Sequence, residues 1–521
     1  MFEAFTNLIP FRRLRSGATY SQYYVVPNPD FDLDALGLAA AENEEDEPPV
    51  CTDEEGDDDV DWEDERDEPP LASAPPTPAA SRTSLSPLSS LSPSPASTRP
   101  PSPAPPASAP HAPLPRAIKG GGRKRRKKAH GRDMRAKRRK ADPSSQPERK
   151  KRHAQHITQA KAKRVEFDLR KARVASTGFR GLYEEEFART HTLRELLEDG
   201  FTYYGYSGSE TVPIVAPLAP EPSPGAPADA PAPEPEDVVV ACLLGRPKDG
   251  EGSGHGDQVP FEDAHKSLAS AIETTRESVS FTKAAREHRR GHFGAQAEGI
   301  SHGGGQLRPA RLKHTPSMTI ALAFLISLPA MVRIAHFASV GFGNWAPEIH
   351  EYYANTLTAL LASDPALFPN FPRSVWACIT INFGPRTVTF PHRDYGNLPF
   401  GWCAITALGD YDPDAGGHLV LWDCKMVIRF PAGTTVLIPS AILRHSNTRV
   451  ANHERRYSVT QYSAGAIFRW VDHGFQLDEE YYASLSKEQR AKEKVTAAGR
   501  WRRGRAMFAK LKGLVQKAEG E

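Results

Sequence analysis

Between residues 375 and 462 the chain is cut by Gly, Pro and Asp into short apolar runs, none of them of ordinary helix length. The runs fall at 375–383, 387–394, 404–408, 418–423, 426–430, 434–438 and 457–462. Strands this short, in about a hundred residues and closed by turn residues, predict a double-stranded β-helix (jelly roll). A doubly wound sheet would instead alternate its strands with helices. The fold class expected is α+β, with a jelly-roll core at about 373–470, flanking helices and a long disordered N-terminal region.

Residues two apart on a strand face the same way, so His392 and Asp394 in Phe390-Pro-His-Arg-Asp-Tyr-Gly-Asn397 converge on one point. His445 follows the run at 434–438. Two imidazoles and one carboxylate on neighbouring strands make a facial triad suited to non-haem Fe(II), with positions left open for a co-substrate and O2. In Arg456-Tyr-Ser-Val-Thr-Gln-Tyr462 the same alternation puts Arg456 and Ser458 on one face. A guanidinium fork beside a hydroxyl fits a carboxylate such as the distal one of 2-oxoglutarate. Taken singly, His392 reads as a turn cap and His445 as a satisfied core histidine. The ordered set, with Gly416-Gly-His-Leu-Val-Leu-Trp422 and Pro431-Ala-Gly-Thr-Thr-Val-Leu-Ile-Pro439 between its members, favours the metal reading.

The 521 residues include 47 Pro and 39 Gly, and the net charge of +2 conceals segregated signs. Residues 42–68 are densely acidic and 69–115 are rich in Pro and Ser, and neither stretch buries enough apolar surface to offset chain entropy. Residues 117–164 are densely basic, with runs such as Gly-Arg-Lys-Arg-Arg-Lys-Lys128, a composition that serves nuclear import and sequence-independent phosphate binding. Residues 1–164 are therefore read as disordered, and the location expected is the nucleus. Cys51, Cys242, Cys378, Cys403 and Cys424 stand apart with no Cys-x-x-Cys pair, which argues against a zinc site or a disulfide frame and fits a reducing compartment. The N-terminus has no basic start with an apolar core and does not read as a signal peptide.

From 165 the composition turns globular, and 165–480 is read as one domain. It carries helical character at 180–197, strands at 202–206, 212–215 and 237–245, a Pro/Ala insertion at 220–236 and a helix at 260–278. Residues 286–292 and 303–309 form a basic, Gly-containing loop region, either a linker or a surface near a polyanion. The most apolar run, 318–332, falls short of a membrane span and reads as a buried helix ending near Leu328, with Pro329 opening the next. An amphipathic helix follows at 349–362. Residues 481–521 form a basic helical end whose apolar side, including Trp501, Phe508 and Leu514, packs on the domain. No membrane is expected as a partner, and a monomer is assumed.

The ordered set resembles the Fe(II)/2-oxoglutarate dioxygenase superfamily, and His-Arg-Asp-Tyr-Gly-Asn397 looks like the H-R-D-x-x-N signature of its TET/JBP branch, which oxidises methyl groups of 5-methylcytosine or thymine in DNA. From about Gly200 to Trp470 the text is similar to a basidiomycete, often transposon-associated, group of this type; the first ~160 residues carry no resemblance. The resemblance implies His392, Asp394 and His445 as iron ligands and Arg456 and Ser458 as the grip on 2-oxoglutarate, with His418 helping to hold it. It implies Asn397 for hydrogen bonding to a flipped cytosine and Tyr462 for stacking near the base, with Fe(II), 2-oxoglutarate and O2 as cofactors and DNA as partner. Two departures bear on base preference: Ala464 stands where animal TET enzymes carry a second base-contacting histidine, and their Cys-rich zinc-binding insert is absent. A protein (prolyl-type) or RNA hydroxylase on the same barrel is the alternative, and a chromatin-binding scaffold worked by the basic arm is the third reading.

Overall fold

The computed structural model describes residues 153–184, 188–219, 234–249 and 259–520, together with the backbone of a small ladder pairing Arg12–Arg13 with Thr19–Tyr20. The acidic and Pro/Ser-rich tracts, most of the basic segment and residues 220–233 of the expected insertion lie outside the described residues.

The strands used below are β1 (Lys163–Arg164), β2 (Thr202–Tyr204), β3 (Val212–Leu218), β4 (Glu236–Gly245), β5 (Gly294–Ser301), β6 (Ala310–Arg311), β7 (Cys378–Gly384), β8 (Cys403–Asp410), β9 (Leu419–Leu421), β10 (Met426–Ile428), β11 (Thr435–Ile438), β12 (His445–Asn447) and β13 (Arg455–Tyr462). They form a nine-stranded sheet, ordered β6-β5-β7-β13-β8-β11-β4-β3-β1, and a four-stranded sheet, ordered β12-β9-β10-β2. Within the region expected to hold the core, β7 and β8 lie on the large sheet, β9 and β10 on the small one, and β11, β12 and β13 then alternate singly between the two, a mixed α+β arrangement compatible with a jelly-roll core.

Alternation along β7, β9, β10 and β13 sorts their apolar residues by face, whereas β4 and β11 are buried on both faces. Leu419, Leu421, Met426, Ile428, Val436 and Ile438 join the cluster between the sheets. Ile379, Ile381, Phe383, Tyr457 and Val459 point the other way, onto a second cluster shared with helices. Those helices are α1 (Phe261–Ser278), α2 (Pro316–Ser327) and α3 (Pro329–Trp345), followed by α4 (Pro347–Ser363). Pro opens α2, α3 and α4 in turn, where a missing N–H costs nothing and the fixed φ suits the first turn. The break after Ser327 thus falls where Leu328 and Pro329 predict it. No single helix among the described residues is long and apolar enough to cross a membrane. On α3, Phe342 stacks on Trp376 and Trp402 at centroid distances of 5.3 and 5.7 Å, while Trp376 Nε1 donates to the Trp402 carbonyl.

Three expectations need correction, and one strand was not expected. Among the described residues of 180–197, helix is found only in the element Leu193–Glu198, where Thr192 and Glu195 form a capping box. The basic stretch does not stay unfolded to residue 164: residues 153–158 are helical, Ile157 is buried, and β1 runs parallel to Ile214–Val215. One apolar anchor in a charged run is what docks it. Between the two basic loops lies β5, unexpected because Gly-Ala-Gln-Ala-Glu-Gly-Ile-Ser has poor strand propensity. Its small residues permit close approach to β7, since a Cβ on Gly299 would overlap the Ala377 carbonyl. Residues 387–394, expected as a strand, hold only an isolated antiparallel bridge between His392 and His445. At the C-terminus the basic helix divides into α5 (Lys487–Ala506) and α6 (Leu511–Glu519), with Phe508 and Leu514 in the central cluster.

Candidate metal centre

The bridge between His392 and His445 is a reciprocal pair of backbone bonds, His392 N to His445 O at 3.0 Å and His445 N to His392 O at 2.9 Å. It fixes the two rings beside each other, with centroids 4.3 Å apart. Asp394 is tied in by its own N–H to the Ser440 carbonyl at 2.9 Å. The result brings three donor atoms within 4.8 Å of one another. His392 Nε2 lies 3.8 Å from Asp394 Oδ1, and His445 Nε2 lies 3.9 Å from Asp394 Oδ2.

The tautomers suit a cation. His392 Nδ1 donates to the Phe390 carbonyl at 2.7 Å, and His445 Nδ1 to the Leu443 carbonyl at 2.9 Å. Each Nε2 lone pair is thereby turned toward Asp394, the arrangement that outer-shell bonds impose on metal-binding histidines. Burial pushes both imidazoles below their ordinary range and outweighs the upward pull of Asp394 and of the carbonyls at Phe390 and Leu443, so both are neutral at pH 7. Burial works upward on Asp394, but the two rings, Arg290 and Arg289 outweigh it and hold the carboxyl below its usual range. Two neutral imidazoles and one carboxylate are the donor set of an octahedral divalent metal with open positions.

The second half of the site is an unusual cation. Arg456 is 3% exposed, and no carboxylate among the described residues pairs with it. Its Nη1 donates to the Thr387 carbonyl at 3.1 Å, its guanidinium lies 5.8 Å from the Tyr411 ring centroid, and its Nε has no partner. An uncompensated buried guanidinium costs several kcal/mol unless an anion meets it, so the residues fit a bound carboxylate. Ser458 shares its face and accepts from Asn382 Nδ2 at 2.8 Å, leaving the hydroxyl proton to donate elsewhere. Arg455 faces outward, half-exposed, 3.7 Å from Glu273. The Thr387 carbonyl also accepts from Asn447 Nδ2 at 3.1 Å, and Asn447 lies two residues beyond His445 on the same face. Arg456 and the triad are therefore joined through one carbonyl and one amide.

Tyr462 lies on the Arg456 face, half-buried and paired across the ladder with Cys378. Asn397 is buried; its N–H donates to the Asp394 carbonyl, and its Nδ2 donates to Cys403 Sγ at 3.4 Å and Ser440 Oγ at 3.3 Å. The structure does not bring His418 to the site, which corrects its expected part in holding the co-substrate. His418 shares a face with Val420, whose cluster is the outer one with Leu196 and Phe201, whereas Leu419 and Leu421 point between the sheets. The His418 ring lies 5.8 Å from Tyr203, with Nδ1 2.9 Å from Thr448 Oγ1. Gly417 does reach the pocket: a Cβ there would stand 3.3 Å from Arg456 Cδ and closer still to the Tyr411 ring. Asn382, Asn447 and the arginines at 289 and 290 were missed by the sequence reading. Only Asn447 carried a usable signal, the two-residue spacing from His445.

Buried histidines also set a pH response. His302 is pushed down to about 4, chiefly by burial and next by Arg469. The unfolded chain takes up a proton as pH falls through 6.5, whereas the folded one resists until near 4, so stability present above pH 6.5 is lost on acidification. At pH 5 the loss from His302 alone is about 2 kcal/mol, at 1.36 kcal/mol per pH unit of differential uptake. His392 and His445 act in the same sense. The urea midpoint is expected to be clearly lower at pH 5 than at pH 7.5; equal midpoints would contradict this.

No family model matches the chain, and no curated protein matches it. Among solved structures it is similar to NgTET1 in complex with 5mC DNA, at 13% identity and TM-score 0.31, over 50% of this chain and 81% of that one. It is also similar to an oxidoreductase of the 2OG-Fe(II) oxygenase family from Burkholderia pseudomallei, at 16% identity and TM-score 0.22, over 40% of this chain and 91% of that one. Likeness at these TM-scores carries no argument, and the functional reading rests on the site's own geometry.

Proposed function

We propose that the chain is an Fe(II)- and 2-oxoglutarate-dependent dioxygenase built on a double-stranded β-helix, and that it oxidises the methyl group of 5-methylcytosine or a related methylated base in DNA. The observation that carries the reading is the pairing of a tautomer-locked His-Asp-His cluster with a buried guanidinium that lacks a counter-charge. His392, Asp394 and His445 would hold the metal, and Arg456 with Ser458 would take the distal carboxylate of 2-oxoglutarate. Bound together, Fe(II), 2-oxoglutarate and O2 supply the oxidising power for an unactivated C–H bond. The protein's part is to orient the co-substrate between Arg456 and the triad and to keep the site dry, which its buried walls do.

The DNA assignment is supported by the H-R-D-x-x-N match ending at Asn397 and by the half-buried Tyr462 ring on the interior face. A methyl group inside a duplex is out of reach, so its base must be flipped out and held by stacking and edge hydrogen bonds. Tyr462 would provide the stacking and Asn397 the edge contact, with the basic segment 117–164 adding non-specific affinity and nuclear import. Purified protein supplied with Fe(II) and 2-oxoglutarate is expected to oxidise methylated duplex DNA, with products resolved by mass spectrometry. Asn397→Ala should lower kcat/KM by roughly 5- to 150-fold, the loss for one buried hydrogen bond of about 1–3 kcal/mol. Hydroxylated peptides with untouched methylated DNA would replace this reading with the protein-hydroxylase one.

A further inference from the structure

The basic loop at 286–292 supplies none of the three ligands, yet it folds onto the triad. Glu287 pairs with His292 and His288 with Gly291, which leaves Arg289 and Arg290 as the two-residue tip of a tight hairpin. The hairpin leans on the segment leading into His392: Phe390 N donates to the Arg290 carbonyl at 2.9 Å, and a Cβ on Gly291 would stand 2.5 Å from the Val388 carbonyl. Asp394 is the most exposed of the three ligands, and Arg289 stands over it, Nη2 to Oδ1 at 3.7 Å. The Arg289 guanidinium also lies 5.0 Å from the Tyr395 ring centroid, and Tyr183 meets that ring edge-on at 5.4 Å. Tyr183 is 58% exposed, an unusual position for a large aromatic side chain. Arg393 beside it is committed to Glu184 and Asp423, and Arg289 Nη1 donates to the Arg393 carbonyl at 2.9 Å, which holds the guanidinium at the mouth.

We infer that Arg289 and Arg290, with the rings of Tyr395 and Tyr183, form a rim at the mouth of the site that grips one nucleic-acid strand, the arginines on its phosphates and the exposed ring against a base. This rests on the nucleic-acid reading above and adds the residues that would recognise the strand. The aromatic half of the rim selects this ligand over an acidic peptide: phosphate and carboxylate both answer to guanidinium, but only a nucleic acid offers flat bases to stack on tyrosine.

The test is the salt dependence of binding, measured by fluorescence anisotropy with the full chain and a labelled single-stranded oligonucleotide. Each phosphate contact contributes roughly 0.7 to the slope of log affinity against log salt for single strands, so Arg289→Gln/Arg290→Gln should flatten the wild-type slope by about 1.4. Tyr183→Ala should weaken binding by about 5- to 150-fold with the slope unchanged, since stacking releases no counterions. Circular dichroism and bound iron per chain establish that each variant is folded and metallated. An unchanged slope in the double variant overturns the rim, as does poly-glutamate competing as well as an unlabelled oligonucleotide. The outcomes separate from those of the parent reading: methylated DNA oxidised with the slope unchanged sinks the rim alone, whereas a flattened slope with no base oxidised sustains the rim and sinks the chemistry.

Discussion

Asp394→Ala is expected to abolish turnover, by more than about 100-fold, and to leave a protein that purifies without iron. Loss of an outer-shell partner of a metal ligand already costs 10- to 100-fold, so loss of one of three ligands should exceed that. Folding should survive. Asp394 lies at the site's mouth rather than in a packed layer, and its side chain is 14% exposed. Its removal also relieves the burial of an ionised carboxylate, against which stands the loss of a 3.7 Å contact with Arg289. His392→Ala should lose iron as well, but with a larger fall in stability because that ring is packed against His445. The measurements are metal content per chain, far-UV circular dichroism and product formation. An iron-replete Asp394→Ala protein with full activity would sink the triad.

How much of this was legible in the sequence depended on whether a feature was local. The His392/Asp394 and Arg456/Ser458 pairs were legible because alternation along an extended chain is a local rule, and the structure keeps both pairs on one face. The break between α2 and α3 was legible for the same reason, since Pro329 acts on its own turn. His418 was given its part by the resemblance alone, and no local rule told which face of the sheet its ring would take; the structure sets it on the outer face with Val420. Asn382 and the arginines at 289 and 290 could not be found locally at all. They matter through the neighbours that β7 and the hairpin acquire, which is a property of sheet order. β5 belongs with them: its Gly and Ala residues become a strand only because β7 supplies a partner at close range.

Arg456 makes the sharper test, because its two expected effects point in opposite directions. As a buried guanidinium held by the Thr387 carbonyl and the Tyr411 hydroxyl, with an unpartnered Nε and no counter-charge, it is a liability to the ligand-free fold. Burial lowers its pKa from the ordinary value, but a guanidinium still carries its charge at neutral pH, so the cost is not escaped by deprotonation. Arg456→Met, which keeps the apolar stem and removes the charge, should therefore leave the ligand-free protein as stable as the wild type or more so. Binding should suffer heavily. Removing one partner of a buried charge pair costs about 2–4 kcal/mol, roughly 30- to 1,000-fold in apparent 2-oxoglutarate affinity at 1.4 kcal/mol per decade. Arg456→Lys should lie at the lower end of that range, because an ammonium keeps the charge but loses the bidentate fork. Arg455→Lys, altering an outward side chain 3.7 Å from Glu273, should change little. Thermal unfolding with and without 2-oxoglutarate reads both effects at once. At 100 times its dissociation constant the co-substrate should stabilise the wild type by about 2.7 kcal/mol and Arg456→Met scarcely at all. If Arg456→Met collapses without ligand, or if 2-oxoglutarate stabilises it as well as the wild type, then Arg456 is a structural cation and the carboxylate binds elsewhere.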